Sequence, residues 1–400
     1  MKQDYYLDRI FKHLYFQGAQ SSSELSHWLH KSPPSVTKLL NTLIDYGCVE
    51  TNGFAPSTGG RRAVKYSIKK DFKYVVAVSM DQIFTTIAIF NLSHKKATQE
   101  ETIVLDLHQT PNALEVLSQK INTYIHNTSI PSKNIIGVGI AMPGLIKPKS
   151  GMNCTFFNQN STISHKDYLE KELNLPVFLD NDSSLTALAE CAFGKAKGQN
   201  NAMIVKIGWG TGLGMIVNGK LFRGETGYAG EFSHIPISNN GKLCECGKRG
   251  CMETETSLLI MAEEAIKKIK EGEETGIQLK ELKYMSDEII NAALNGNQFC
   301  INLLSKIGHN LGKGIAILIQ IMNPGIVLLS GRGARAEKIL KAPIEQALTH
   351  NCIPKIAENT QIAVSDLGLQ APLLGAAALV IESCPIQDIV RQTELIKEAL

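Results

Sequence analysis

Within the eighteen residues from His234 to Cys251 lie one imidazole and three thiols: His234, Cys244, Cys246 and Cys251, a His followed by C-x-C-x4-C. One nitrogen and three sulfurs at such short spacing can close a tetrahedron, the ligand set of structural zinc. Gly241, Gly247 and Gly250 let the backbone turn tightly enough to aim all four inward. A metal-free cluster of reduced cysteines is the alternative, but it gives no reason for a His at ligand distance from a C-x-C pair. Two acids, Glu231 and Glu253, converge on the same stretch. If zinc takes one ring nitrogen of His234, the other is held in a fixed direction and can hydrogen-bond a ligand.

The stretch resembles the signature of the ROK family, which contains bacterial sugar kinases and sugar-responsive transcriptional repressors. The family pattern reads G-x-x-x-x-A-G-E-x-G-H and then C-x-C-G-x-x-G-C-x-E. Here it is GETGYAGEFSH from Gly224 and CECGKRGCME ending at Glu253, with Ser233 where a Gly is usual. The resemblance implies a zinc-stabilised knot whose Glu231, His234 and Glu253 touch sugar hydroxyls. It also extends to FLDNDSSLTALAE, residues 178–190. There Asp182 matches the kinases' general base and Asn181 the residue that positions the sugar. Asp182 equally suits the plainer task of capping the helix that starts at about Ser183. Ala141-Met142-Pro143-Gly144 resembles the turn that lines the sugar pocket, and Gly208–Gly214 the second phosphate loop, with Thr211 as an extra donor.

One departure is decisive. ROK kinases begin with D-x-G-G-T, an acid and a glycine hairpin for metal and nucleotide phosphate; the matching segment here is Ser79-Met80-Asp81-Gln82-Ile83. Ser79 replaces the acid, and Asp81 and Gln82 replace the glycines. The phosphate side is dismantled while the sugar side is kept, the pattern of a sensor without kinase activity.

These residues need elements to hold them. Residues 4–17 place Tyr6, Ile10 and Leu14 at helical spacing. Ser21–Glu24 predicts an N-cap for a second helix buried through Leu25, Trp28 and Leu29. Pro33-Pro34 opens a third, whose stripe Val36, Leu39, Leu40 and Leu43 leaves Ser35, Thr37, Lys38 and Asn41 outside. A turn at Gly47, a strand, a Gly59-Gly60-Arg61-Arg62 tip and a return strand 64–68 follow. That is a winged helix-turn-helix: a third helix for the major groove and paired arginines for backbone or minor groove. A helical hairpin for dimerisation is the competing reading, and the basic excess weighs against it. Residues 1–70 hold ten Lys/Arg against five Asp/Glu, whereas the remaining 330 hold 31 against 33. After a short charged linker, 69–73, a three-stranded meander, a helix over 111–126 and the strand IIGVGIAM open one lobe. Strands 202–206, 214–217 and 326–330 mark another. Periodicity gives α/β with two lobes; the actin-like sugar-kinase fold is what the resemblance implies.

Composition sets the frame. Four hundred residues exceed one core, and 44% hydrophobic with 20% charged residues is an ordinary globular balance. Nine cysteines, six of them scattered, fit a reducing compartment. The N-terminus has no apolar signal core, and the longest apolar run, 315–329, is interrupted by Asn323-Pro324-Gly325. A cytoplasmic protein without a membrane span is therefore expected. The expected organisation is a DNA-binding domain over 1–70, a first lobe over 71–182 completed by a C-terminal helix over 371–400, and a second lobe over 183–370. Gly331-Arg332-Gly333 and the C-terminal helix are read as core.

The sequence thus describes a zinc-containing regulator, a repressor. It forms a homodimer or higher oligomer on a double-stranded DNA operator and is released by a hexose or hexosamine, or its phosphate, held by Asn181, Asp182, Glu231, His234, Glu253 and Gly144. The rivals are a ROK sugar kinase with an appended DNA-binding domain, and a regulator gated by a protein partner.

Overall fold

Ser21 and Glu24 cap each other reciprocally: the Glu24 N–H donates to Ser21 Oγ at 3.2 Å, and the Ser21 N–H to the Glu24 carboxylate at 2.6 Å. This fixes the start of the second helix in a head built from α1 (Lys2–Gln17), β1 (Gln20–Ser21), α2 (Ser22–Leu29), α3 (Pro33–Asp45), β2 (Val49–Phe54) and β3 (Val64–Ile68). The computed structural model describes residues 2–54, 62–157 and 163–394. Leu7, Ile10, Phe11 and Leu14 of α1 share one core with Leu25, Leu29, Val36, Leu40 and Leu43. β2 and β3 pair antiparallel and β1 adds to β3, giving the small sheet of a winged helix. Trp28 is only partly buried and stacks on His13, with ring centroids 3.8 Å apart.

The first lobe contains β4 (Tyr74–Met80), β5 (Phe84–Asn91), β6 (Glu101–Val104), α4 (Ala113–His126), β7 (Ile135–Met142), β8 (Ile146–Lys147), β9 (Met152–Asn153), α5 (His165–Leu173) and β10 (Val177–Asn181). Its sheet runs β10-β7-β4-β5-β6, an antiparallel meander extended by two parallel strands. Strand alternation covers both faces: Val76 and Val78 pack under α4 and α5, while Val75 and Ala77 face the opposite layer. That layer holds α6 (Asp182–Phe193) and, from the chain's end, α13 (Ala371–Ser383).

The second lobe repeats the plan. β11 (Ala202–Ile207), β12 (Thr211–Val217) and β13 (Lys220–Leu221) form the meander. α7 (Met252–Thr256), α8 (Leu258–Lys270), α9 (Leu282–Leu294) and α10 (Gln298–Met322) precede β14 (Ile326–Ser330), and α11 (Glu337–Asn351) and α12 (Pro354–Ala357) precede β15 (Gln361–Val364). The order β13-β12-β11-β14-β15 mirrors the first sheet. α8, α9 and α10 cover one face, and α6 packs on the other. α6 therefore lies between the two sheets, with α13 beside it.

One detail departs from the sequence reading. The single C-terminal helix expected over 371–400 is divided into α13 and α14 (Ile386–Glu394), because Pro385 has no N–H to continue the ladder; residues 395–400 lie outside the described ones. The charged linker, 69–73, is fastened to the first lobe. Lys73 is buried and donates to the Lys133 carbonyl at 2.8 Å, and the Leu92 N–H donates to the Lys70 carbonyl at 2.9 Å. α14 packs on α1, where the Ile386 N–H donates to Asp8 at 3.0 Å. Among the described residues no helix is long and apolar enough to cross a membrane.

Candidate functional site

The knot is tied by backbone before any metal is considered. The Met252 N–H donates to the Ile235 carbonyl and the Cys244 N–H to the Lys248 carbonyl, while Pro236 bridges Cys251. His234 ends a short turn, Phe232–His234, anchored by the buried Phe232 ring. Ligand atoms of His234, Cys244, Cys246 and Cys251 all lie within 4.8 Å of one another. Cys244 Sγ is 3.6 Å from His234 Nδ1, and Cys246 Sγ is 3.6 Å from Cys251 Sγ. Bonds of about 2.3 Å to sulfur and 2.0–2.1 Å to nitrogen, opened to the tetrahedral angle, give edges of roughly 3.6–3.8 Å, so the donor set fits zinc. Burial lowers the His234 pKa, with Lys248 adding, a direction that favours the neutral imidazole a metal ligand must be. Its Nδ1 faces the Cys244 thiol.

From this knot α7 carries Glu253 and the preceding loop carries Glu231. Glu253 Oε2 accepts the Thr211 N–H at 3.0 Å. Burial, with Glu245, Asp182 and Glu231 adding charge, pushes its carboxyl up to about 7. Glu231 is raised as well, by desolvation in the cleft and then by Asp182. Three acids thus meet where the first lobe's β10 passes into α6. Carboxyls crowded together in this way are costly until a ligand's hydroxyls, or a cation, answer them.

Asn181 and Gly144 come together differently than expected. Asn181 Oδ1 caps α6 by accepting the N–H groups of Ser183 and Ser184 at 2.9 and 3.2 Å, and its amide donates to the Gly144 carbonyl at 3.0 Å. Its main work is to fasten the 143–144 turn to the helix start. The same turn is held from the other side by Asn153, whose amide donates to the Pro143 carbonyl at 3.0 Å.

Sequence reading missed Lys206. Its ammonium pairs with Asp182 inside the cleft, both side chains being mostly buried. A lysine inside the apolar strand AMIVKI was the available signal, since such a charge is rarely buried without a partner. Lys206 also borders a cavity of about 200 Å³ between the lobes, lined by Ser79, Asp81, Trp209, Ser330 and Arg332.

The phosphate-binding expectations change here. Asp81 folds back on its own turn, with Oδ1 accepting the N–H groups of Ile83 at 2.8 Å and Phe84 at 2.6 Å. This carboxylate thus occupies the N–H groups of its own turn, and its burial raises its pKa despite those bonds. Gln82 contributes its carbonyl to Leu107. The Gly-rich segment 208–214 is a turn only over 208–210; Thr211 onward is β12. Thr211 has no spare donor for phosphate, because its N–H serves Glu253 and its hydroxyl pairs with Thr256 at 2.8 Å. Arg332, beside Gly331 and Gly333, binds Asp287 at 2.6 Å.

On the head, Ser35, Lys38 and Asn41 are exposed along α3 and Thr37 is half-buried, opposite Val36, Leu39, Leu40 and Leu43. Arg62 is exposed just before β3, whereas Arg61 lies outside the described residues.

Comparison with known proteins gives the family and the fold. The ROK family model matches residues 75–383. The chain is 30% identical over 368 residues to the xylose repressor of Bacillus spizizenii, covering 90% of this chain and 91% of that one. It is 28% identical over 365 residues to the DNA-binding transcriptional dual regulator NagC of Escherichia coli K12, covering 91% and 89%. Among solved structures, a ROK family transcriptional regulator described as a homologue of the E. coli MLC protein superposes with a TM-score of 0.80 at 25% identity, over 98% of this chain and 99% of that one. A ROK family glucokinase from Streptomyces griseus shares the fold over 76% of this chain, at 22% identity and a TM-score of 0.66.

Proposed function

The chain belongs to the ROK family, and from that premise we propose that it is a sugar-responsive, DNA-binding transcriptional regulator, a repressor released by a hexose or hexosamine or its phosphate. The observation that carries the reading is an asymmetry across one cleft. The acids Asp182, Glu231 and Glu253 converge, with His234 three residues beyond Glu231, while the turn that would hold a nucleotide's phosphate is filled by the Asp81 carboxylate. His234, Cys244, Cys246 and Cys251 hold a structural zinc ion that fixes the direction of the imidazole. Asn181 and Gly144 shape the wall opposite. Relatives named for xylose and N-acetylglucosamine support a small sugar as effector.

A homodimer presents two α3 helices to successive major grooves roughly 34–36 Å apart, which requires a two-fold operator. Ser35, Thr37, Lys38 and Asn41 face the DNA, with Arg61 and Arg62 on the backbone or in the minor groove. Replacing Arg61 and Arg62 by Ala together is expected to weaken binding to every duplex and to flatten the dependence on salt, since each lost phosphate contact releases fewer counterions. Fluorescence anisotropy across a salt series measures this; an unchanged slope would remove the wing from the interface.

The kinase alternative has its own test. Phosphoryl transfer needs a positioned nucleotide and neutralised charge, and Asp81 opposes both. Turnover with ATP, magnesium and any common hexose is expected to stay far below the roughly 1 per second at which sugar and protein kinases begin. The functional reading itself is tested by thermal shift against D-xylose, D-glucose, N-acetylglucosamine and their phosphates. A ligand that binds only the folded protein must raise its melting temperature, and a panel without any shift would count against a sugar effector.

A further inference from the structure

α6 begins in the sugar site and ends on the DNA-binding head. At its start, Asn181 caps the helix and holds Gly144, while Asp182, its first residue, is paired with Lys206. At its finish, Phe193 enters an aromatic cluster with the end of α1. Its ring lies 6.1 Å from Tyr15, 6.1 Å from Phe16 and 4.2 Å from His94, and His94 is 4.4 Å from Tyr15. Just beyond, Lys197 donates to the Phe16 carbonyl at 3.1 Å. Twelve residues of helix span roughly 18 Å between these two ends.

The helix between them is unable to bend locally. Residues 182–190 are all buried. Gly214 of β12 and Gly375 of α13 bring their backbones so close to α6 that neither leaves room for a Cβ, against the Ser183 and Leu185 carbonyl oxygens respectively. Glu190 is fully buried and is gripped by the Ser365 hydroxyl and by the Lys195 N–H at 3.2 Å. Close-packed interiors transmit displacement instead of absorbing it. On the far side, α1 shares its core with α3, so a shift of residues 15–16 reorients the whole head.

We infer that α6 is the rod that carries sugar occupancy to the DNA-binding head, and that Phe193, Tyr15, Phe16, His94 and Lys197 form its joint. The inference rests on the sugar site proposed above. A sugar whose hydroxyls donate to the Asp182 carboxylate and that presses on the 143–144 turn draws on the two attachments that hold the helix start. The helix then moves as one body and turns α1. In a dimer, a small rotation of each head changes the separation of the two α3 helices, and a palindromic site tolerates little such change.

The test uses the full chain with Phe193→Leu and with Lys197→Met, neither of which touches the sugar cluster or the DNA face. An operator is selected from random duplex, and its affinity is measured with and without whichever of D-xylose, D-glucose, N-acetylglucosamine or their phosphates raises the wild-type melting temperature. Both variants are expected to bind that sugar and the operator with wild-type affinity. The change in DNA affinity on adding sugar, expected to be roughly tenfold in wild type, should fall to below about twofold in the variants. Variants that keep the wild-type ratio overturn the inference while leaving the sugar site standing. Should no sugar shift the wild type, the preceding functional reading fails, and a ligand-free arm still decides the rod. Lys206→Met releases the helix start and is expected to alter amide hydrogen exchange at Leu14–Gln17; unchanged exchange there overturns the coupling.

Discussion

Cys251→Ser is expected to abolish the sugar response and to lower the melting temperature sharply. Cys251 is completely buried, precedes the first residue of α7, bridges Pro236 and, in the proposed site, supplies one of four metal bonds. Structural zinc contributes roughly 10–16 kcal/mol of apparent binding free energy in small zinc domains. The net stability of a whole protein is about 5–15 kcal/mol, so even a fraction of that loss is enough to open the knot. His234 then loses its direction, and Glu253, two residues beyond Cys251, loses its place. Elemental analysis of gently purified wild type should return close to one zinc per chain, and the variant little. A variant that retained both metal and sugar affinity would remove the knot from the account.

The second large effect is expected at Asp182. Asp182→Asn removes an ionised hydrogen-bond acceptor for the sugar and leaves the Lys206 ammonium without its counter-charge. A hydrogen bond to a charged group is worth roughly 1.5–3 kcal/mol, so sugar affinity should fall about 10- to 100-fold. Stability should fall as well, because breaking one half of a buried ion pair strands the other. Lys206→Met alone should also destabilise. Combined with Asp182→Asn it should recover part of the stability but none of the sugar affinity, a signature read from a double-mutant cycle. Additive losses in melting temperature would mean that the two residues act independently.

Much of this was legible because local chemistry dictated it. The His-Cys spacing, the third helix with its apolar stripe and the loss of the glycine hairpin at Ser79–Ile83 are all written in short stretches. What escaped depended on residues far apart in the chain. Lys206 meets Asp182 across 24 positions, and Lys197 meets Phe16 across 181. Thr211 looked free to bind phosphate until α7 placed Glu253 against its N–H, 42 positions later. Burial of Lys73 in the charged linker, against the Lys133 carbonyl, likewise depends on a turn 60 residues away. The helix between the lobes could be predicted as a helix, but neither of the layers it touches is visible from its own periodicity, because its first nine residues are all buried.

The central claim is that one chain reads a sugar and releases DNA in response. Its most direct measurement is the affinity of the full-length protein for a selected operator, followed by anisotropy as a sugar from the panel is titrated at fixed salt. The account predicts that at least one sugar weakens binding by roughly tenfold, in the usual range for coupled sites, and that a chain lacking residues 1–70 does not bind the operator at all. Operator affinity unchanged by every sugar that binds the protein, or retained after deletion of the head, would contradict it.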